Sequence, residues 1–343
     1  MTKRPTITDL AEASGVSVAT VDRVLNGRKT VREGTALRVL EAARSIGFHA
    51  APLLQKRILD DVPTFKIGLL LLQESDFYLN FKTMAEALAL EERRMNIRLT
   101  VAFLPSSQPA DIVLAVEKMA ERVQAIGLVS IDHPRVTEVV ESVKQRGIPV
   151  FALLSDFAQG VRESYIGPNN LKVGRTAGWM ISRGLQGRQG EIALFVGGHR
   201  WHGHELRETG FRAYFRENRP DLTLLETQVN LDTAKLSYEA TLSLLKRHPT
   251  LAGIYCAGGG REGIIDAIRD EGRVGSVEIV ANELTDFSRR AMADGVLSLV
   301  IDTPIRAICT ELFDLALRAV TRGPGQSSGQ VFLPMNLVLP ESI

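Results

Sequence analysis

Three groups of residues have types and spacing that could do chemistry. Val18, Ala19 and Arg23 fall on one side of a short helical pattern that Ser17 opens. A guanidinium placed there can pair with guanine O6 and N7, and the apolar side chains can meet thymine methyls. Thr6, Ser17, Thr20 and Asn26 carry groups suited to phosphate oxygens. His199, His202 and His204 put three imidazoles within six residues, a reason to consider a metal. No ordered zinc signature surrounds them, so no metal is expected. The run Cys256-Ala-Gly-Gly-Gly-Arg-Glu-Gly263 follows an apolar stretch and opens a helical one, as a phosphate-cradling loop does. It lacks the Gly-Lys-Ser/Thr ending and its glycine spacing does not fit a dinucleotide fingerprint. A glycine-rich turn, with Gly258 on the floor of a cleft, is the better reading. No metal-ligand set or dinucleotide fingerprint is present, so an enzyme is the least favoured class and no cofactor is expected.

The elements that must position these groups differ between the two parts of the chain. In residues 1–48, Thr6 or Thr8 can cap a first helix carrying Ile7, Leu10 and Ala11 at helical spacing. Gly15 offers the left-handed backbone of a tight turn. Ser17 caps a second helix with Val21, Val24 and Leu25 inward, and a third carries Ala36, Val39, Leu40 and Ala43. Two short helices, a glycine turn and a third helix over them fit helix-turn-helix geometry. The same pattern would also suit a small helical bundle for protein contacts.

Beyond a polar linker at 60–64, strand-like runs at 66–72, 97–103, 125–131, 149–154, 191–196, 222–228, 253–256, 277–281 and 298–301 alternate with amphipathic helical stretches. This predicts α/β architecture with parallel sheets covered on both faces, and about 280 residues of it predicts two lobes.

Charge follows the same division. The net charge is +1, yet residues 1–58 hold ten Lys/Arg against five Asp/Glu, giving +5, and the rest sum to −4. A basic head on a mildly acidic body points to a polyanion-binding module joined to a separate one. A chain of 343 residues, 45% hydrophobic and 24% charged, is not a disordered one. Its longest apolar runs are strand-length, so no membrane span is expected. The opening Met1-Thr-Lys-Arg leads into polar sequence, and the cysteines, Cys256 and Cys309, cannot build a disulfide scaffold. The expected location is cytoplasmic.

Residues 7–26, ITDLAEASGVSVATVDRVLN, closely resemble the DNA-binding signature of the lactose-repressor (LacI-type) family. The run from Val31 through Thr35, Arg38 and Ala43 to Gly47-Phe48 is similar to its third helix. The resemblance implies a homodimer that binds double-stranded operator DNA. It also implies a hinge, at 49–65, whose leucine wedges into the minor groove. Here Arg57 stands at the wedge position, beside Leu54 and Ile58. An arginine can enter a narrow minor groove electrostatically without intercalating as leucine does.

The body, 66–343, resembles the periplasmic sugar-binding-protein fold, closest to its ribose-binding type. That resemblance implies one lobe at about 66–164 and 304–325 and another at about 165–301 and 330–340. Crossings would fall near 164–167, 301–304 and 323–329. It implies a small-molecule effector in the cleft, a sugar, polyol or phosphosugar. Phe77 and Tyr78 match the fold's stacking aromatics, although they could instead cap the following helix. Ser155 and Asp156 stand where sugar binders carry an Asp-Arg pair, a pair this chain lacks. Asn170 matches the crossover motif or caps the next helix. Arg207 falls on the sugar-contacting arginine of an Arg-x-x-Gly-Phe pattern, and Trp201 is a candidate stacking lid. Glu283 stands where sugar binders place a hydroxyl-binding aspartate and Asp302 at the hinge position that often bears a glutamine, or both serve as caps. The function implied is a repressor of carbohydrate genes. A transporter's solute-binding protein is the alternative.

Overall fold

Thr6, and not Thr8, starts the first helix. Its hydroxyl accepts the Asp9 N–H at 3.3 Å, and the Asp9 carboxylate accepts the Thr6 N–H at 2.7 Å. This reciprocal cap opens α1 (Ile7–Ser14). Gly15, at φ 65°, ends it in the conformation that costs a side chain most. The Ser17 hydroxyl then accepts the Thr20 N–H at 3.2 Å and opens α2 (Val18–Leu25); α3 (Glu33–Ser45) follows. Leu10, Val21, Val24, Val39, Leu40 and Ala43 share one core with Phe48 and Leu54. Ile7, expected in the apolar stripe, is exposed.

The structure, a computed structural model, describes residues 5–26, 31, 33–51, 54, 64–73, 75–92, 95–323, 325 and 329–343. Arg57 and Ile58 lie outside the described residues. The chain divides into two units, Met1–Phe65 with Ala89–Arg98, and Lys66–Leu88 with Leu99–Ile343.

The body alternates as its sequence predicts: β1 (Thr64–Leu71), α4 (Asp76–Glu91), β2 (Asn96–Phe103), α5 (Pro109–Ala120), β3 (Ala125–Leu128), α6 (Pro134–Gln145), β4 (Val150–Leu153) and β5 (Ser164–Pro168). Next come α7 (Asn170–Gly184), β6 (Glu191–Val196), α8 (His202–Asn218), β7 (Thr223–Leu224), β8 (Gln228–Val229), α9 (Ala234–Arg247), β9 (Leu251–Cys256), α10 (Arg261–Asp270), β10 (Glu278–Asn282), α11 (Asp286–Ala293) and β11 (Leu299–Asp302). The chain closes through α12 (Ile305–Arg322), β12 (Gln330–Leu333) and β13 (Asn336–Val338). The central strands are buried along their whole length, as parallel strands between helical layers must be.

Two sheets result, ordered β12-β5-β4-β3-β1-β2 and β13-β11-β10-β9-β6-β7, with β8 also on β6. In the first, strand order reverses between β1 and β3, and in the second between β6 and β9. Ligand clefts form at the carboxyl ends of strands at such switch points.

Sheet membership corrects the expected lobe boundaries. β5 pairs with β4, Ala152 opposite Tyr165, so residues 165–168 belong to the first lobe. β12 pairs with β5, Val331 opposite Ile166, which moves 330–333 there as well. Only β13 returns, antiparallel to β11. The chain therefore crosses between Pro168 and Asn170, between Asp302 and Ile305, and between Leu333 and Asn336. The expected third crossing at 323–329 is displaced because a short apolar run, VFL, was needed to complete the first sheet's edge.

A buried ion pair fastens that edge. Arg162 grips Asp156 with two nitrogens, the Nη2–Oδ2 bond at 2.7 Å, and donates from Nη1 to the Gly329 carbonyl at 2.7 Å. Gln330 adds a 2.8 Å bond to the same carboxylate. Both charges are nearly inaccessible, so the pair matters mostly for what its disruption would leave behind. We predict that Arg162→Leu destabilises the body by about 3–5 kcal/mol by stranding a buried carboxylate. The double change Arg162→Leu with Asp156→Leu should recover most of that loss in urea unfolding. Equal losses in the single and double variants would contradict the assignment.

Candidate functional site

On the head, α2 turns Val21 and Val24 inward and leaves Val18, Ala19 and Arg23 outside. Val18 is 47% exposed, an apolar side chain that the head's own core does not use. Ser17 and Thr20 share a 2.9 Å hydroxyl contact, and Asn26 donates to Asp22 at 2.8 Å. Thr6 sits in its capping box. The four groups expected at phosphates thus also shape the helix ends, on the exposed surface that carries Arg23.

In the body, a cavity of about 430 Å³ opens at the switch points of both sheets. From the first lobe come Leu72 and Gln73 after β1, Phe77 and Tyr78 at the start of α4, and Ser155 after β4. From the second come Trp201, His204 and Arg207 around the start of α8, then Asp232, Gly258 to Glu262, and Glu283. Phe77, Tyr78, Ser155, Trp201, Arg207, Gly258 and Glu283 are therefore brought together as expected from sequence. A second cavity of about 480 Å³ between β2 and α5 is lined mainly by apolar groups such as Leu70, Phe103 and Leu114. It lies beside the sheet, away from the strand ends where buried polar groups converge.

Arg207 is the best-built member. Gly174 and Gly210 bring α7 and α8 into backbone contact: a Cβ at Gly174 would stand 1.9 Å from the Arg207 carbonyl, and one at Gly210 2.1 Å from the Leu171 carbonyl. This is the physical content of Arg-x-x-Gly-Phe, with Phe211 fully buried beneath. Arg207 is 6% exposed, and its guanidinium donates from Nε to Asn170 Oδ1 at 2.8 Å and from Nη1 to the Ala257 carbonyl at 2.6 Å. Asn170 is held in turn, donating to the Leu154 carbonyl at 3.0 Å and to the Tyr165 hydroxyl at 3.2 Å.

Three expected ligand-facing residues do other work. Asn170 does not line the cavity and positions Arg207; the cap of α7 is Asn169, which accepts the Lys172 N–H at 3.1 Å. Asp156 is consumed by Arg162. Asp302 accepts the Leu284 N–H at 3.0 Å, while the cap of α11 is Thr285 and that of α12 is Pro304, so its expected cap role does not hold either. Phe77 lines the cavity and also packs edge-on to Tyr78, with centroids 4.9 Å apart, and to buried Phe81 at 6.3 Å. Ser155 Oγ accepts the Gly203 N–H at 3.1 Å, a bond between the two lobes.

Sequence reasoning missed Asp232 and Arg261, and read His204 only as a metal candidate. Among the described residues, no group of three or more His, Cys, Asp or Glu could hold a metal ion. The signal was the glycines. A Cβ at Gly197 would stand 2.0 Å from Asp232 Oδ2, and one at Gly258 2.4 Å from Asp232 Oδ1 and 2.7 Å from His204 Cε1. These positions are bare so that an aspartate and an imidazole can fill the space. Asp232 Oδ1 accepts the Gly259 N–H at 2.7 Å, and His204 Nδ1 accepts the Gly197 N–H at 3.2 Å, which leaves the ring hydrogen on Nε2.

Burial dominates the electrostatics. It pushes the His204 imidazole down to about 4, with Asp232 opposing and Arg207 reinforcing the shift. It pushes the Glu283 carboxyl up, with Arg207 pulling it back. The Tyr78 hydroxyl is raised by burial and by the Asp232 and Glu283 charges. Burial also takes the Cys256 thiol up to about 12, so no thiolate is offered at the cavity floor.

Two family descriptions match the chain. The periplasmic binding protein domain matches residues 67–324, and the bacterial regulatory proteins of the lacI family match residues 6–50. The chain belongs to the periplasmic binding protein domain family through its body, and its head matches the lacI family of bacterial regulatory proteins over residues 6–50. It is similar to the HTH-type transcriptional regulator MalR of Streptococcus pneumoniae, 42% identical over 76 residues, 22% of this chain and 23% of that one. It is 31% identical over 135 residues to the sucrose operon repressor of Klebsiella pneumoniae, 38% of this chain and 39% of that one. The match thus spans about a quarter of the first relative and two fifths of the second. An ABC transporter solute-binding protein from Burkholderia graminis, solved with D-arabinose, superposes with a TM-score of 0.75 at 20% identity, covering 82% of this chain and 97% of that one. Among the described residues no helix is long and apolar enough to cross a membrane.

The His204 environment gives a pH prediction. The unfolded chain takes up the imidazole proton near pH 6.5, the folded one only near 4, so His204 costs stability as pH falls through that window. Replacing it should flatten the fall: the melting temperature of His204→Gln, relative to wild type, rises as pH drops from 7 to 4.5. A constant difference across that range would refute a buried neutral imidazole.

Proposed function

We propose that this chain is a sequence-specific DNA-binding transcriptional repressor of carbohydrate genes, acting in the cytoplasm as a homodimer on a pseudo-palindromic operator. A small effector, a sugar, polyol or phosphosugar, binds the cleft between the lobes and sets the affinity for DNA. The observation that carries this reading is the joining of two unlike sites on one chain. One is a helix that leaves Val18, Ala19 and Arg23 outside its own core. The other is a cavity where Arg207, His204, Asp232 and Glu283 converge opposite Phe77 and Tyr78. Polar groups that bond hydroxyls, facing rings that cover C–H surfaces, are what carbohydrate recognition requires.

The mechanism follows from linkage. A ligand held by both lobes favours their closed arrangement over an open one, and it shifts DNA affinity only by its different affinity for the two states. The Gly203 N–H to Ser155 Oγ bond spans the two lobes and supports a closed arrangement in this reading. Two heads related by a dyad would read half-sites about one helical turn apart. In the head, Arg23 reads a base edge and the groups at the helix ends hold the backbone; Arg57 completes the contact in the minor groove. The similarity of the body to solute-binding proteins extends to its fold, and the basic head has no role in solute transport.

Effectors can be found by thermal shift of the full chain against pentoses, hexoses, disaccharides, polyols and their phosphates, since binding stabilises by mass action. Operator duplexes selected from a random library then report DNA affinity by fluorescence anisotropy. Arg207→Ala is expected to abolish the effector-induced change in DNA affinity. Arg23→Ala should cost about 1–3 kcal/mol on the selected sequence and relax preference at one base pair. A response of Arg207→Ala at the wild-type effector concentration would overturn the placement of the effector. Undiminished discrimination by Arg23→Ala would do the same for the base contact.

A further inference from the structure

Two buried polar atoms in the cleft have no hydrogen-bond partner, Arg261 Nε, which has only an ion-pair contact with Glu262, and Glu283 Oε2. Arg261 is the first residue of α10 and is 7% exposed; its Nη1 donates to the Asn282 carbonyl at 3.3 Å. Glu262 Oε1 lies 3.3 Å from its Nε without forming a hydrogen bond. Glu283 Oε1 accepts from the Thr303 hydroxyl at 2.9 Å, and its other oxygen is left over. The residue itself sits at φ 71°, a strained backbone for a side chain of its size. Arg261 and Glu283 follow adjacent parallel strands, β9 and β10, paired through Cys256 and Ala281. Each unmet buried group costs about 1–3 kcal/mol, so a native fold keeps them where something else supplies the bond.

We propose that Arg261 and Glu283 are a donor–acceptor pair that reads effector hydroxyls, and that the second lobe's wall selects uncharged polyhydroxyl effectors over phosphorylated or carboxylated ones. The proposal rests on the effector-cleft reading above and narrows its ligand class. A hydroxyl donates and accepts at one atom, so it satisfies an orphan N–H and an orphan carboxyl oxygen together. A phosphate or carboxylate only accepts. It would suit Arg261 but stand against the acidic groups around it. An ammonium only donates. It would suit Glu283 but face two guanidinium groups. The rest of the wall repeats the mixture, since His204 presents an Nε2 donor and Asp232 a carboxylate acceptor. Its charges, Arg207 and Arg261 against Asp232, Glu262 and Glu283, give no positive excess to hold an anion.

The test is isothermal titration of the full-length protein with D-glucose, D-galactose, D-arabinose, D-xylose, sucrose and maltose, and with the terminal phosphates and aldonates of the four aldoses. Binding of a neutral sugar at least tenfold tighter than its phosphate and aldonate is expected. Tighter binding of any anionic derivative overturns the proposal and leaves a sugar-controlled regulator standing. Failure of every compound overturns the sugar-effector reading and this proposal with it. With the neutral ligand found, Arg261→Met and Glu283→Gln should each weaken it tenfold or more, both variants being checked for a cooperative melt. Deoxy analogues locate the contact: removing the hydroxyl that the pair reads should cost wild type tenfold and Arg261→Met much less. Wild-type affinity in Arg261→Met, or an equal loss in both proteins for every deoxy analogue, overturns the pairing.

Discussion

The buried Arg207 guanidinium is the interaction on which the body's architecture converges. A charge with so little access to water is tolerable only when its N–H groups are matched. Its partners come from distant parts of the chain. Asn170 is the first residue of α7, just after the chain enters the second lobe, and Ala257 directly follows β9 where the glycine-rich loop begins. Through Asn170 the network reaches Leu154 and Tyr165 at the ends of the first sheet. One side chain thus ties the carboxyl ends of both sheets to a common point, and the cavity lies beside it. The helix pair that delivers Arg207 depends on the bare backbones of Gly174 and Gly210, so packing and recognition are set by the same contact.

Much of this was legible in the sequence because it obeys local rules. The capping residues Thr6 and Ser17, the Gly15 turn and the alternation of the body are written at spacings of a few residues. Arg207, Glu283 and the aromatic pair were found through a motif or a family resemblance. What stayed hidden depends on contacts between segments far apart. Asp156 was read as facing ligand, but Arg162, six positions later, and Gln330, from the last strand of the first sheet, enclose it. Asp232 lies in a loop with no periodicity, and only the space left by Gly197 and Gly258 explains its place. β12 was assigned to the wrong lobe because a short strand does not announce which sheet it joins.

The two lobes contribute unlike chemistry to the cleft. The first brings Phe77 and Tyr78, rigid and mostly apolar, while the second brings His204, Arg207, Asp232, Arg261 and Glu283. Gln73, Ser75, Asp76 and Ser155 of the first lobe line the cavity beside the two rings, so the aromatic wall is itself edged with polar groups.

The three crossings between the lobes have a mechanical meaning. A single connecting strand would let one lobe swivel, slide or twist against the other in any direction. Segments at Pro168–Asn170, Asp302–Ile305 and Leu333–Asn336 act together like pins along one edge of a door. They suppress torsion and translation and leave bending as the soft coordinate. The lobes are then left with one angle as their soft variable, and a downstream surface can follow a single angle more readily than a mixture of motions.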